Sequence, residues 1–238
     1  MNNVLFDYRL RRSPHGRNVR LRVTRQRGLE VIVPQGYDAT KIPVLLERKK
    51  QWIRAALERI ENLRKFFEPE PNWRPPLQIK LAAIGATWHV VPKATEVPWV
   101  AVRELDRERL LVFGDIHSEK ACRAALTRWL MRQTRDHLVP RLQAIGLKTK
   151  LRYRRAFIKR QKTRWASCSK RKTICLNAKL LFLPSEIVDY VMVHELCHVA
   201  VMRHSKEFWT LVGQHCPNYR KLDNRLRDMW KVVPRWAA

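Results

Sequence analysis

Two histidines and one glutamate in the C-terminal part of the chain have the types and spacing needed to hold a metal ion and activate water. His194, Glu195 and His198 form the pattern H-E-x-x-H. On an α-helix, residues four positions apart stack one turn above the other, so both imidazoles would face one point. Neutral imidazoles suit a zinc ion. Glu195 is rotated away from the two histidines, so its carboxylate can take a proton from a water molecule.

The residues before this pattern predict the helix that would carry it. Pro184, Glu186 and Asp189 suit the first turns of a helix. They are interspersed with an apolar run made of Ile187, Val188, Val191, Met192 and Val193. The alternative is that this short pattern occurs by chance on an ordinary helix. Polar rings within an apolar run need a polar partner, which a metal ion provides, so we expect a buried helix with a metal site.

Two residues compete for the third ligand position, since a catalytic zinc usually has three protein ligands and one open position. His204 lies ten residues after His194, the spacing of the metzincin pattern H-E-x-x-H-x-x-G-x-x-H. Val201 stands at the glycine position, so the chain must turn differently before His204. Glu207 is the rival ligand, but an acidic residue also favours the first turn of a helix opened by Ser205. We therefore predict His204 and keep Glu207 as the alternative.

These residues belong to a longer stretch that resembles a known family. The stretch comprises residues 162–169, 174–177, 184, 190–198, 204–205, 208–209 and 217–219. It closely resembles the YgjP-like metallopeptidases, which are similar to the SprT-like and WLM zinc proteases, and the N-terminal half resembles them more loosely. The resemblance implies a zincin-like core in which His194, His198 and His204 bind zinc and Glu195 is the catalytic base. The family usually has glycine where this chain has Ala166.

The same resemblance points to residues that contact the substrate. Residues 154–162 and 173–176 are predicted to form strands around a turn at residues 167–172. In zincins, a strand beside the active-site helix pairs with an extended substrate, and a free strand edge can do so through backbone hydrogen bonds. Arg164 and Ser167 are therefore candidate substrate-binding residues. The alternative is that Trp165 packs in the core and Arg164 is surface charge.

The charge balance predicts a polyanionic partner. The chain has 49 lysines and arginines against 21 acidic residues, a formal net charge of +28. The cations are clustered: eight arginines and no acid lie between Arg9 and Arg27, and thirteen lysines or arginines and no acid lie between Arg141 and Lys172. Such blocks are typical of phosphate contacts, so we expect nucleic acid as a partner. The alternative is a solvated basic surface.

The cysteines and the hydropathy indicate the compartment. The five cysteines are an odd number spread through the chain, which does not suggest a disulfide framework. No apolar stretch approaches the roughly 20 residues that cross a bilayer, and the N-terminus has no signal-peptide pattern. We expect reduced thiols, a cytoplasmic location and no membrane partner. The sequence does not indicate an oligomeric state.

The remaining patterns predict an α+β fold. Residues 1–34 suit strands, including a hairpin around Gly28, and a long helix should follow over residues 40–67, with Trp52 on its apolar side. The proline-rich residues 68–76 suggest a connector, residues 77–91 and 99–113 further strands, and residues 116–145 a long helix. We therefore expect a β-rich N-terminal region at 1–113 and a zincin-like metallopeptidase domain at 114–238, with its active-site helix beside a small sheet.

Two functions from different classes fit these patterns. The first is a zinc-dependent metalloendopeptidase that hydrolyses peptide bonds in a protein or peptide substrate and is recruited to or activated by nucleic acid. The second is a nucleic-acid-binding protein with a structural or vestigial zinc site. Structural zinc sites are closed, usually by cysteines, whereas this pattern leaves a position open and retains Glu195, which favours the first. The residues also permit a zinc hydrolase that acts on another substrate.

Overall fold

The computed structural model describes residues 6–16, 18–24, 28–67 and 73–238, which form a mixed α+β protein with three small sheets. The chain divides into two compact units, Met1–Glu68 and Pro69–Ala238. The α+β class expected from the sequence is confirmed. None of the described helices is both long and apolar enough to cross a lipid bilayer.

The N-terminal unit packs a three-stranded sheet against helices. Strands β1 (Tyr8–Ser13), β2 (Arg20–Thr24) and β3 (Gly28–Pro34) lie in the order β1-β3-β2. The predicted hairpin is confirmed, because β2 and β3 are antiparallel around Gly28, whose φ is +64°. Helices α1 (Ile42–Arg48) and α2 (Lys50–Phe67) follow. The core of the unit consists of Leu29, Val31, Val33, Ile42, Leu46 and Ile53.

The long helix expected over residues 40–67 is interrupted at Lys49, and the expected place of Trp52 in the core is wrong. Trp52 is 49% exposed, whereas its neighbour Ile53 is fully buried. Adjacent residues on a helix point about 100° apart, so only one of these two can face the sheet. Trp52 lies seven residues after Leu45, so the two side chains would lie on the same face only if one continuous helix carried both.

The C-terminal unit begins with a four-stranded sheet that packs on a long helix. Strands β4 (Gln78–Leu81), β5 (Ala86–Ala94), β6 (Val100–Glu104) and β7 (Arg109–Gly114) lie in the order β4-β5-β7-β6. Helix α3 (Glu119–Thr149) starts at the N-cap Ser118 and contributes to the same core. Trp88 of β5 and Trp129 of α3 contact edge to face at 5.5 Å, and the indole N–H of Trp129 donates to Glu104 at 2.9 Å.

These contacts place β4 to β7 in the same compact unit as α3. The compact units divide between residues 68 and 69, whereas the predicted strands had placed the boundary between 113 and 114. The physical reason is the shared core, since Val100, Leu110 and Val112 of the sheet and Leu126 and Leu130 of α3 are all buried in one apolar cluster.

The second sheet of this unit lies beside the helix with the H-E-x-x-H pattern. Strands β8 (Arg155–Lys159), β9 (Ala166–Cys168) and β10 (Thr173–Asn177) lie in the order β8-β10-β9. β9 and β10 are antiparallel, and β8 is parallel to β10. Helices α4 (Ser185–Cys197), α5 (Lys206–His215) and α6 (Tyr219–Leu226) follow, and α4 contacts β9, α5 and α6.

Candidate metal centre and active site

Helix α4 holds the two histidines and the glutamate of the H-E-x-x-H pattern in its last turns. Its first turn carries Glu186, and most of its side chains are buried, as the apolar run predicts. His194 and Glu195 lie within the helix, and His198 is its C-cap residue. The chain then turns back, and the hydroxyl of Ser205 accepts a hydrogen bond from the Phe208 N–H at 3.4 Å at the start of α5.

This turn brings His204 to the two histidines of α4. The Nε2 atom of His204 lies 3.1 Å from Nε2 of His194 and 3.1 Å from Nε2 of His198. The three side chains form a group that could hold a metal ion. Glu207, the rival ligand in the sequence, is an exposed residue of the first turn of α5 and is not part of this group.

The donor set fits a zinc ion. Two ligand nitrogens about 2.0–2.1 Å from one tetrahedral zinc lie roughly 3.3 Å apart, close to the separations of the imidazoles. The Nδ1 atom of His198 lies 3.1 Å from the carbonyl oxygen of Val201 and can only donate to it. In this tautomer Nε2 of His198 carries a lone pair that is directed at the other imidazoles, and a bound cation would accept it.

Burial favours the neutral, metal-binding form of the two histidines of α4. Burial, together with His198 and His204, lowers the pKa of His194 to about 4. Burial also lowers the pKa of His198. Aromatic rings fix the imidazoles in place, since Phe208 stacks on His198 at 4.4 Å and Trp209 stacks on His204 at 5.6 Å.

A tyrosine and an aspartate that the sequence analysis missed support His194. The hydroxyl of Tyr190 lies 3.5 Å from Nδ1 of His194 and donates to Oδ1 of Asp223 at 2.9 Å. Arg227 donates to the other oxygen of Asp223 at 3.2 Å. Tyr190 precedes His194 by four residues on one helix, so helical spacing could have identified it. Asp223 comes from α6, and no local signal connects it to the pattern.

Glu195 is buried beside the three imidazoles. Glu195 is 7% exposed, and its Oε2 atom has no hydrogen-bond partner among the described residues. Burial raises the pKa of Glu195 to about 7, whereas the backbone N–H of Cys168 and the charge of Arg164 act towards a lower pKa. Burying a carboxylate oxygen without a hydrogen-bond partner costs free energy, and such unpaired buried groups often have a catalytic role. The Oε2 atom of Glu195 is therefore suited to accept a proton.

A cavity of about 540 Å³ opens above these residues. It is lined by His194, Glu195 and His204, and by Arg164, Ala166 and Leu226 among others. Arg164 therefore lies at the cavity, as expected of a substrate-binding residue, whereas Ser167 does not line it. Successive side chains of a strand point to opposite faces, and Ala166 takes the face towards the cavity.

Comparisons with known proteins identify a family for this chain. The YgjP-like metallopeptidase domain matches residues 17–229, so the family resemblance expected from the sequence is confirmed. Among solved structures, the metallopeptidase zymogen of Pyrococcus abyssi abylysin is 25% identical, with a TM-score of 0.35 over 38% of this chain and 91% of abylysin. The metallopeptidase zymogen of Methanocaldococcus jannaschii jannalysin is 21% identical, with a TM-score of 0.34 over 37% of this chain and 92% of jannalysin. No curated protein matches the chain significantly.

Proposed function

The chain belongs to the YgjP-like metallopeptidase family, and from this premise we propose that it is a zinc-dependent endopeptidase. The observation that carries the proposal is the meeting of three imidazole Nε2 atoms beside a buried carboxylate without a hydrogen-bond partner at Oε2. His194, His198 and His204 would hold the zinc ion. When bound, zinc supplies Lewis acidity towards a carbonyl oxygen and makes water more acidic.

Glu195 moves the protons of the reaction. Its carboxylate accepts a proton from the attacking water, whose oxygen forms a bond to the carbonyl carbon of the scissile peptide. The C–N bond then breaks, and Glu195 delivers the proton to the leaving amine nitrogen. A general base works best when its pKa lies near the working pH, and burial raises the pKa of Glu195 to about 7.

The open edge of β9 supports binding of an extended peptide. The carbonyl of Trp165 accepts from the Asn177 N–H at 2.9 Å, and the Ser169 N–H donates to Thr173 at 3.0 Å, so these groups face β10. Because backbone groups alternate in direction along a strand, the N–H and C=O of Ala166 face the opposite edge. A peptide paired there would extend past the cavity in both directions, which favours an endopeptidase.

Arg164 is proposed to contact this substrate. Its side chain is exposed at the cavity, where its charge already acts on Glu195. A guanidinium at this position would donate hydrogen bonds to a substrate carbonyl or to the oxyanion that develops during the attack. Ser167 is less well placed for this role, because its side chain lies on the other face of β9.

We further propose that nucleic acid recruits the enzyme to its protein substrates. The net charge of +28 and the block of thirteen cations without an acid between Arg141 and Lys172 support this partner. That block includes Arg164, so the cavity opens within a basic part of the chain. The second candidate, a nucleic-acid-binding protein with a structural zinc site, shares this charge but gives Glu195 no role.

Product analysis by mass spectrometry tests both proposals. A basic DNA-binding protein is incubated with the zinc-loaded chain or with its Glu195→Gln variant, with and without DNA. Internal fragments that form only with the wild type support an endopeptidase, and faster release with DNA supports recruitment. Terminal amino acids alone would contradict an endopeptidase. Equal rates with and without DNA would contradict recruitment, and DNA binding by both proteins without any cleavage would favour the second candidate.

A further inference from the structure

The sheet β8-β10-β9 has one face that is packed in the core and one that faces solvent. On the packed face, Ile158, Ile174 and Leu176 are buried. The alternate residues leave the sheet on the other side. Those that are exposed or half-buried form the outer face, which we define as Arg155, Phe157, Lys159, Ser167, Thr173 and Cys175, whereas Asn177, the partner of Lys159, is buried. Since β8 pairs only with β10 in this sheet, it is an edge strand. None of the outer-face residues is acidic.

An exposed aromatic ring lies between two cations on this face. Arg155, Phe157 and Lys159 are alternate residues of β8, so their side chains leave the strand on the same side, and all three are exposed. Phe157 is 48% exposed and has no ring or cation–π contact with another described residue. An apolar ring of this size left in water between two positive charges suits a partner that carries both flat rings and negative charge.

Further cations without an ion-pair partner lie at one end of the outer face. The Arg154 N–H donates to the carbonyl of Lys172 at 2.8 Å, which places the turn with Lys170, Arg171 and Lys172 at the Arg155 end of β8. In the described part of the chain, no carboxylate forms an ion pair with any cation from Lys148 to Lys172. The charges of Lys170, Arg171 and Lys172 are therefore available to an external anion.

We propose that the outer face of this sheet binds single-stranded nucleic acid, with Phe157 stacked on a base and Arg155 and Lys159 on phosphates. The inference rests on the recruitment part of the proposed function and names the surface that performs it. Single strands expose the faces of their bases, and stacking of a base on an aromatic side chain is the common device for binding them. The bases of a duplex are stacked inside the helix and cannot contact Phe157 in this way.

The location of this surface would bring nucleic acid close to the peptide-binding edge. β8 and β9 are separated by one strand, so they lie about 10 Å apart at the usual strand spacing. A protein bound to the nucleic acid would then be held near the open edge of β9. Binding through phosphates and base planes uses features that DNA and RNA share, so both should bind.

Fluorescence anisotropy with labelled oligonucleotides tests the proposal. The probes are an oligothymidylate and an oligouridylate of about 20 nucleotides, longer than the roughly 4–16 nucleotides that such sites cover, and a DNA duplex of equal length. Both single strands should bind more tightly than the duplex. Phe157→Ala should weaken their binding about 5- to 150-fold without changing the salt dependence. Phe157→Tyr, which keeps the ring, should restore most of the affinity.

Charge variants separate stacking from phosphate binding. Arg155→Gln should weaken binding and reduce the slope of log affinity against log salt by about 0.7, the value for one phosphate contact on a single strand. Arg107→Gln removes an equal charge from an exposed residue of the other sheet's β6–β7 turn and should leave that slope nearly unchanged. Leu147→Ala removes a 67% exposed apolar side chain from the same basic block and should not change the affinity.

Three results would overturn the proposal: equal affinities of Phe157→Ala and Leu147→Ala, equal slopes for Arg155→Gln and Arg107→Gln, or a duplex that binds as tightly as the single strands. Binding is measured without proteolysis, so its failure is distinct from a failure of the peptidase proposal. Phe157→Ala should cleave an unstructured peptide at the wild-type rate. A chain that binds single strands but never cleaves would refute only the peptidase.

Discussion

Tyr190→Phe should weaken metal binding although Tyr190 is not one of the three candidate ligands. The substitution removes the hydroxyl that lies between Nδ1 of His194 and the carboxylate of Asp223, at 3.5 Å and 2.9 Å. The ring remains, so the buried volume is preserved. Loss of such a supporting group typically costs 10- to 100-fold in metal affinity, or about 1.4–2.7 kcal/mol. We expect the lower part of this range, because the contact with His194 is long.

The zinc dissociation constant, measured by competition with a chromophoric chelator, checks this expectation. Tyr219→Phe is the matched control, since its hydroxyl accepts from Arg220 at 3.3 Å and contacts none of the three histidines. Asp223→Asn should weaken zinc binding in the same direction. Combining Asp223→Asn with Tyr190→Phe should weaken zinc binding little further, because both substitutions disrupt the same chain of hydrogen bonds to His194. Equal zinc affinities of Tyr190→Phe and Tyr219→Phe would refute the support of His194 by Tyr190.

Two further predictions concern the ligands and the base. His204→Ala should lose bound zinc during dialysis whereas Glu207→Gln should keep it, and metal analysis of both variants would show the reverse if Glu207 were the ligand. In chelator-treated protein, Glu195→Gln should be more stable than the wild type at about pH 8 by up to roughly 3 kcal/mol, and by little below about pH 5. Burial raises the pKa of Glu195 from 4.5 to about 7, so the folded wild type loses stability as the pH rises through this range. Denaturant titrations that show the same difference in unfolding free energy at both pH values would contradict this prediction.

The spacing of residues in the sequence was sufficient to predict which side chains one helix or one short loop brings together. His194 and His198 are one helical turn apart, and His204 follows after a turn too short to carry it far. Asp223 could not be found in this way, because it reaches the site through the packing of α6 on α4. Local spacing also could not place Ser167, because the face of the sheet on which its side chain lies depends on the register of β9 against β10.

The larger organisation was predicted less well because it depends on contacts between distant segments. The compact units divide between residues 68 and 69, at the start of the stretch predicted as a connector, of which residues 68–72 lie outside the described ranges. The strands that follow were nevertheless expected in the N-terminal region, since nothing local shows that Val100 and Leu110 share a core with Leu126 of α3. Trp52 was misplaced for a similar reason, because the interruption at Lys49 ends the helix whose periodicity had placed it.

The most direct test of the central claim measures zinc content and peptide-bond cleavage side by side in the wild type and in Glu195→Gln. If His194, His198 and His204 hold the metal and Glu195 moves the proton, both proteins should contain about one zinc per chain. Cleavage by Glu195→Gln should be at least about 100-fold slower, the low end for loss of a general base. Cleavage by Glu195→Gln at the wild-type rate, with zinc retained, would contradict the account.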